Sequence, residues 1–246
     1  YNSLIADGYT LKLIREDIET SYKIKLKLAI EEIEVLKGDA NKRLVFSHPK
    51  FVEPMLDYIV TDYLKSIIKF ADNTIGGMVV CDTSDQAKRM YDIFDSKYLQ
   101  NQTISESVSE YGKVADIPGE YLDYKDKYGK DLSASLILHD IGTKESREND
   151  INNFKDGKIN LLFVYNMLLT GFDAKRLKKL YIGRIIKDHN LLQTLTRVNR
   201  PYKKFRYGYV VDFADIRNEF DKTNKAYFDE LQDELGDEFT HYTNIF

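Results

Sequence analysis

The segment Leu191 to Arg200, LLQTLTRVNR, carries side chains well suited to bind phosphate. Its spacing predicts one helix in which Gln193, Arg197 and Arg200 share a face, because residues three or four apart are neighbours on a helix. Arginine is always charged and offers a planar fork of donors, which suits a phosphate whose charge grows during transfer. The alternative is that both arginines are solvated or pair with nearby acidic side chains.

A second group of candidate residues precedes this helix, in the stretch NMLLTGFD at residues 166–173. It follows the apolar run Ile159 to Val164, which predicts a buried strand. A turn containing Gly171 then ends in the carboxylate of Asp173, beyond the carboxyl end of that strand. Ligands bind at this edge in open α/β sheets, so we expect a ligand site there.

Together, LLFVYNMLLTGFDA and HNLLQTLTRVNRPYKKFRYGYVVDF resemble motifs V and VI of superfamily two helicases and translocases. More narrowly, MLLTGFDA, the LLQ-x-x-x-R-x-N-R pattern and the strand YGYVVDF are similar to the second motor domain of type I restriction enzyme R subunits. The resemblance covers Asp72 to about Ile216. Two positions depart from the family pattern. Asn166 stands where many R subunits have Asp, and Thr196 stands where many helicases have Gly.

The resemblance implies a RecA-like α/β domain that forms one wall of an ATP site between two motor domains. It implies that Arg197 and Arg200 reach the γ-phosphate across the cleft, with Gln193 near the same group. It also implies that Asp173 meets the ribose or closes the site with Gly171. The chain has no G-x-x-x-x-G-K-[ST] loop, so we expect ATP and Mg²⁺ to be bound mainly by a first motor domain outside it.

Candidate DNA contacts fall at strand ends and in a basic segment. Thr83 and Ser84 follow the strand signal GGMVVC and resemble motif IV, and Thr170 lies where motif V commonly contacts the tracked strand. Lys178 and Lys179, within the basic residues 175–206, are expected to bind DNA phosphates whatever the base sequence. The alternatives are a helix cap at Thr83 and Ser84, and a solvated face at the two lysines.

Three regions follow from the pattern along the chain. Residues 1–71 are interpreted as a connector and helical addition from the region between two motors. Residues 72–216 alternate strands with helices, which predicts a RecA-like, three-layer domain with a parallel sheet covered on both faces. Residues 217–246 are acidic and predict a C-terminal helical extension.

Within the first region, Gly8 to Ile14 is predicted to be a connector or an edge strand of the first motor. Amphipathic helices are predicted from Arg15 to about Gly38 and from Phe51 to Phe70, the second with Ser47 as its cap and Pro49 in its first turn. Further along, the polar and tyrosine-rich residues 100–130 are interpreted as an insertion, in the form of a hairpin or a mobile loop.

Composition limits the class of protein. The 246 residues are 43% hydrophobic, with a formal net charge of −4, which fits a folded chain of one large or two small domains. Cys81 is the only cysteine, so no internal disulfide can form, and the four scattered histidines predict no metal site. No apolar run approaches the roughly 20 residues that cross a bilayer, and we expect a soluble protein of the prokaryotic cytoplasm.

We therefore expect a fragment of the ATP-dependent DNA translocase of a type I restriction endonuclease, inactive by itself. Its expected partners are double-stranded DNA, the first motor and nuclease domains of the same subunit, and the methyltransferase and specificity subunits. Two alternatives remain open, namely a motor domain of another superfamily two helicase and a non-catalytic DNA-binding or assembly module.

Overall fold

A six-stranded parallel sheet forms the centre of the molecule. The computed structural model describes residues 12–37, 45–99, 118–169, 172–186, 188–205 and 207–214. The strands in the described ranges are β1 (Lys12–Asp17), β2 (Gly76–Val80), β3 (Ala134–Ile137), β4 (Leu161–Val164), β5 (Leu177–Ile182) and β6 (Tyr207–Asp212). Their order is β1-β6-β5-β2-β4-β3, and every neighbouring pair is parallel.

Helices connect the strands and cover the sheet. They are α1 (Thr20–Lys37), α2 (Pro49–Phe70), α3 (Ser84–Phe94), α4 (Gly119–Tyr128), α5 (Lys144–Lys155) and α6 (Asp188–Leu195), and a π-helical turn, Asp95–Leu99, follows α3. Among the described helices, none combines the length and the apolar character that crossing a membrane requires.

The sheet separates two apolar cores. Along β4, Leu161 and Phe163 belong to one buried cluster, whereas Leu162 and Val164 belong to the other, because successive side chains of a strand point to opposite faces. Residues of α1 to α4 fill the first cluster, and residues of α5 and α6 fill the second. The predicted three-layer α/β fold, a parallel sheet with helices on both faces, is therefore confirmed.

Strand β1 is an edge strand of this sheet, which corrects its assignment to another motor. It pairs with β6 from Lys12 opposite Tyr207 to Asp17 opposite Asp212, and Arg15 donates to the Asp212 carboxylate at 3.0 Å. The pairing continues past the predicted start of a helix at Arg15, and α1 begins at Thr20. The earlier residues, 1–11, lie outside the described part of the chain.

Helix α2 packs into the first core, so the predicted division at residue 72 does not separate two packing units. The side chains of Ile59 and Tyr63 are fully buried in the same cluster as the sheet residues. The hydroxyl of Tyr63 donates to the carbonyl of Ile75 at 2.7 Å, just before β2. The cap of α2 is His48 rather than Ser47, because the His48 Nδ1 accepts the backbone N–H of Lys50 at 3.2 Å.

Part of the predicted insertion is a helix. Tyr121 and Tyr124 of α4 are buried in the first core, and their spacing of three, continued by Tyr128, is the spacing of one helix face. The interpretation of residues 100–130 as a hairpin or loop is therefore wrong from Gly119 onward. Residues 100–117 and the predicted C-terminal extension, 217–246, lie outside the described residues.

Candidate functional site

The two candidate arginines follow helix α6 and do not belong to it. The helix ends at Leu195, and the next turn is closed by bonds from the Arg197 N–H to the Thr194 carbonyl and from the Val198 N–H to the Leu195 carbonyl, both 3.2 Å. Pro201 disfavours helical geometry in the residue before it, which is a reason why the helix does not extend through Arg200. The prediction of one continuous helix face was wrong, and Gln193 alone of the three lies in α6.

Arg197 attaches this turn to the loop that follows β4. Its guanidinium donates to the carbonyl of Phe172 at 2.9 Å and, more weakly, to the carbonyl of Leu169 at 3.4 Å. The two segments that resemble motifs V and VI are therefore in direct contact through an arginine side chain. Gly171 and Thr170 lie between these carbonyls in sequence, outside the described residues.

Arg200 also joins the turn after α6 to the loop after β4, because it pairs with Asp173. The Arg200 Nη1 lies 2.7 Å from the Asp173 Oδ2, with 35% of the arginine side chain and 54% of the aspartate side chain exposed. The alternative in which an arginine pairs with a nearby acid therefore holds for Arg200. An exposed pair of this kind contributes about 0–1 kcal/mol, so another anion can replace the carboxylate at small cost.

Asp173→Asn tests how labile this pair is. We expect the free energy of unfolding of the chain to change by less than about 1 kcal/mol, since both partners keep much of their surface in water. Urea denaturation measures it. A loss several times larger would mean that the pair is a structural bond and that Arg200 is not available to another anion.

Lys178 and Lys179 are buried, which corrects their assignment as DNA contacts. Their exposed fractions are 0% and 1%, because β5 lies in the sheet between β2 and β6 and both faces of the sheet are covered. Arg176, in the same basic segment, is also buried and donates to the carbonyls of Thr74 and Phe154, each at 2.7 Å. Much of the basic charge from residue 176 to 179 is therefore inside the domain, so the solvated-face alternative is also wrong for these lysines.

Lys179 belongs to an internal polar network on the α2 side of the sheet. Its ammonium lies 2.5 Å from a Glu16 carboxylate oxygen and 2.8 Å from one of Asp62. The hydroxyl of Tyr181 also donates to Asp62, at 2.8 Å, and burial together with this carboxylate raises the pKa of Tyr181. The network ties β5 to β1 and α2.

Lys178 faces the arginine turn instead. Its ammonium donates to the carbonyl of Val198 at 3.2 Å and to the carbonyl of Arg200. Burial lowers the pKa of Lys178 to about 8, because a low-dielectric environment disfavours the charged form.

Thr83 and Ser84 lie at the carboxyl end of β2. The hydroxyl of Thr83 accepts the backbone N–H of Gln86 at 3.0 Å, so Thr83 is the N-cap of α3, as one of the two alternatives had it. Thr83 is 8% exposed, whereas Ser84 is half-buried at the first position of the helix. Ser84 is therefore the better placed of the two to meet a ligand.

Arg184 is a polar residue of this edge that the sequence analysis did not single out. It follows β5, donates to the Asn166 side-chain oxygen at 2.8 Å, and stacks over the ring of Tyr165 with 4.9 Å to the ring centroid. Its Nε is buried and has no hydrogen-bond partner among the described residues. Its position directly after an apolar strand, in YIGR, was the available signal.

Arg200 is the described residue of this site best suited to bind an anion. A partly exposed guanidinium that holds a carboxylate can also hold a phosphate oxygen. In the described ranges, no three His, Cys, Asp or Glu side chains come together in a group that could hold a metal ion. The arrangement thus suits contacts between an arginine side chain and a phosphate group.

The fold and these joined loops define an α/β domain with a polar, arginine-bearing site formed by the loop after β4 and the turn after α6. The family model described as type I restriction enzyme subunit R domain 3 matches residues 79–215, more than half of the chain. This chain therefore belongs to the family of type I restriction enzyme R subunits. The resemblance found in the sequence is confirmed.

Curated relatives carry the same description. An MjaVIIIP endonuclease subunit of Methanocaldococcus jannaschii is 32% identical over 240 residues, which cover 86% of this chain and 22% of that protein. The SauCOLORF180P endonuclease subunit of Staphylococcus aureus strain COL is 39% identical over 74 residues, which cover 30% of this chain and 8% of that protein. Both are named as subunits of type I restriction enzymes. The chain thus spans less than a quarter of the length of either relative.

Two solved structures share a similar arrangement at low sequence identity. A fragment of an HsdR subunit of a type I restriction enzyme from Vibrio vulnificus YJ016 has a TM-score of 0.46 and 13% identity, covering 87% of this chain and 34% of that one. Domain 2 of the DEAD-box helicase Mss116p, bound to an RNA duplex, has a TM-score of 0.44 and 14% identity, covering 68% of this chain and 56% of that one.

Proposed function

We propose that this chain is the second, RecA-like motor domain of the ATP-dependent DNA translocase in a type I restriction R subunit. It supplies Arg197 and Arg200 to an ATP site that a first motor domain completes. The observation that carries the proposal is the contact between the two loops, in which Arg197 binds the Leu169 and Phe172 carbonyls and Arg200 pairs with Asp173. Membership of the R subunit family supports it.

The chemistry assigned to this chain is electrostatic. When bound, ATP with Mg²⁺ supplies the phosphoryl group that is transferred to water. Arg200 exchanges its weak pair with Asp173 for a phosphate oxygen, and Arg197 bonds the loop after β4 while its positive charge lies beside the same phosphate. Arginine fingers of this kind are worth about 10³ to 10⁵ in rate, because they neutralise charge that is present mainly in the transition state.

Closure between the two motor domains then acts as the catalytic switch. When the domains part, the arginines of this chain withdraw from the phosphate, so hydrolysis is coupled to relative motion of the domains. The partners follow from this role: double-stranded DNA, the first motor and nuclease domains, and the methyltransferase and specificity subunits.

DNA contacts are assigned to the hydroxyl-bearing loops at the carboxyl edge of the sheet. Ser84 of α3 fits a backbone contact, with Thr83 acting through the helix cap, and Thr170 is assigned to DNA from the sequence alone. A motor that moves over any sequence must hold phosphates rather than base edges, so binding should depend on salt and hardly on sequence.

This chain by itself is expected to show no ATP turnover, with or without DNA, because it lacks a phosphate-binding loop. The measurement is phosphate release from a highly purified preparation, with the intact R subunit as the positive control. DNA-stimulated turnover that copurifies with the chain through two orthogonal columns would contradict the proposed division of the ATP site.

Gel shifts of the intact subunit on random-sequence duplex test the proposed function against a passive DNA-binding or assembly module. The proposed motor binds DNA with an affinity that changes between ATP analogue, ADP and no nucleotide, because nucleotide controls closure of the two domains. Identical affinities in all three states would favour the passive module.

A further inference from the structure

Lys178 lies at an irregularity of the sheet. Between β2 and β5, Gly76 is opposite Leu177 and Gly77 is opposite Lys179, so Lys178 is an extra residue in the ladder. A β-bulge of this kind bends its strand and re-aims a side chain. The side chain of Lys178 is fully buried and reaches the turn that follows α6.

The contacts of Lys178 are unusual for a buried cation. Lys179 beside it is paired with two carboxylates, whereas no ion pair of Lys178 occurs among the described residues and its ammonium donates to the carbonyls of Val198 and Arg200. Burying a charge without a counter-charge costs free energy. Here the only described contacts that offset this cost are two carbonyls of one turn, the turn that carries Arg197 and Arg200.

Gly208 of β6 lies beneath the same turn. Because Tyr209 is opposite Lys179, Gly208 lies in the register position next to Lys178. A Cβ at Gly208 would lie 2.5 Å from the carbonyl oxygen and 2.8 Å from the carbonyl carbon of Val198. Only glycine allows this approach of backbone to backbone, so the Val198 carbonyl rests on β6 while Lys178 donates to it.

We infer that Lys178 and Gly208 form a seat that fixes the position of Arg197 and Arg200, and that Lys178 is a positioning residue for ATP hydrolysis. The inference rests on the proposed function. Lys178 acts through the turn and contacts no nucleotide. Its loss moves the guanidinium groups, and a displacement of about 1 Å at a reacting centre can cost on the order of 10²-fold in rate.

The test uses Lys178→Met and Gly208→Ala in the intact R subunit. Met keeps the length of the side chain and removes its donors and charge, whereas Ala lifts the Val198 carbonyl from β6. Both variants are expected to lower kcat for DNA-stimulated ATP hydrolysis at least about tenfold and to change KM for ATP less than about twofold. A large change in kcat with a small change in KM is expected because the arginines act mainly in the transition state.

Two matched controls lie away from the turn. Lys97→Met removes another buried lysine, which pairs with Asp57 at 2.7 Å. Gly129→Ala forces an alanine into the left-handed conformation, φ 63°, at the end of α4. Both are expected to lower the melting temperature and to keep kcat within about twofold of the wild type, because both residues belong to elements that pack on the face of the sheet opposite the arginine turn.

The outcomes separate the seat from the function on which it rests. If Arg197→Ala loses turnover but Lys178→Met and Gly208→Ala both keep it within about twofold, the seat is overturned and the proposed function stands. If the two control variants lose kcat as much as the seat variants, general destabilisation explains the loss and the seat is again overturned. If Arg197→Ala and Arg200→Ala keep full turnover, the proposed function itself fails.

Discussion

Replacing Arg197 or Arg200 by alanine in the intact R subunit is expected to lower kcat for ATP hydrolysis by about 10³-fold or more while most ATP binding is kept. The nucleotide is proposed to be held mainly by the first motor domain, so loss of a finger removes stabilisation of the transition state and little of the ground-state affinity. Steady-state hydrolysis, together with equilibrium binding of a fluorescent ATP analogue, measures the two quantities separately.

Further variants distinguish chemistry from structure at these positions. Lysine at either position should rescue poorly, because a point charge cannot replace the planar fork of donors. Arg147→Ala is the matched control for Arg197, since its guanidinium also donates to loop carbonyls, those of Ile141 and Gly142 at 2.8 and 2.9 Å. Equal losses of ATP binding and turnover in the Arg197 variant would assign it a structural role and count against the proposed function.

The Arg197→Ala and Arg200→Ala variants should differ in their free energy of unfolding even if they lower kcat to the same extent. Arg200→Ala removes a partly exposed ion pair and should change the free energy of unfolding by less than about 1 kcal/mol. Arg197→Ala removes the contacts that hold the loop after β4, so its loss of stability should be the larger of the two. Parallel urea titrations of the two variants would show the difference.

Lys179→Ala is expected to destabilise the domain by about 3 kcal/mol, because breaking a buried ion pair leaves charge without a partner. Its removal leaves the carboxylates of Glu16 and Asp62 facing each other at the centre of the network. The value is at the low end for buried pairs, since these two carboxylates keep part of their surface in water. Denaturant unfolding of the chain gives the measurement.

The matched control for Lys179 is Lys175, an exposed lysine of the same basic segment. Lys175→Ala should change the free energy of unfolding by less than about 0.5 kcal/mol. The salt dependence of DNA binding by folded Lys179→Ala protein should equal that of the wild type, because a buried ammonium releases no counterions from DNA. If Lys179→Ala left the free energy of unfolding unchanged and made DNA binding less dependent on salt, Lys179 would be a DNA contact after all.

The sequence by itself determined the family and the class of fold. The sequence motifs around Asp173 and from Gln193 to Arg200 predicted a domain of a type I restriction R subunit, and the family comparison confirms that family. The apolar runs of β2, β4 and β6 predicted a parallel sheet, because buried strands read as continuous apolar segments with turn residues at their ends. The cap at Thr83 was readable as well, since it depends only on residues three apart.

Tertiary structure decided where the charged side chains of that pattern lie. Lys178 and Lys179 appear in the sequence as part of a basic surface, yet β5 is covered on both faces, and the alternation of side chains along the strand points the two lysines to different partners. Long-range contacts also decided that β1 pairs with β6 and that Arg200 meets Asp173. Local propensity cannot determine these contacts, because their partners are far apart in sequence and meet only when the sheet has assembled.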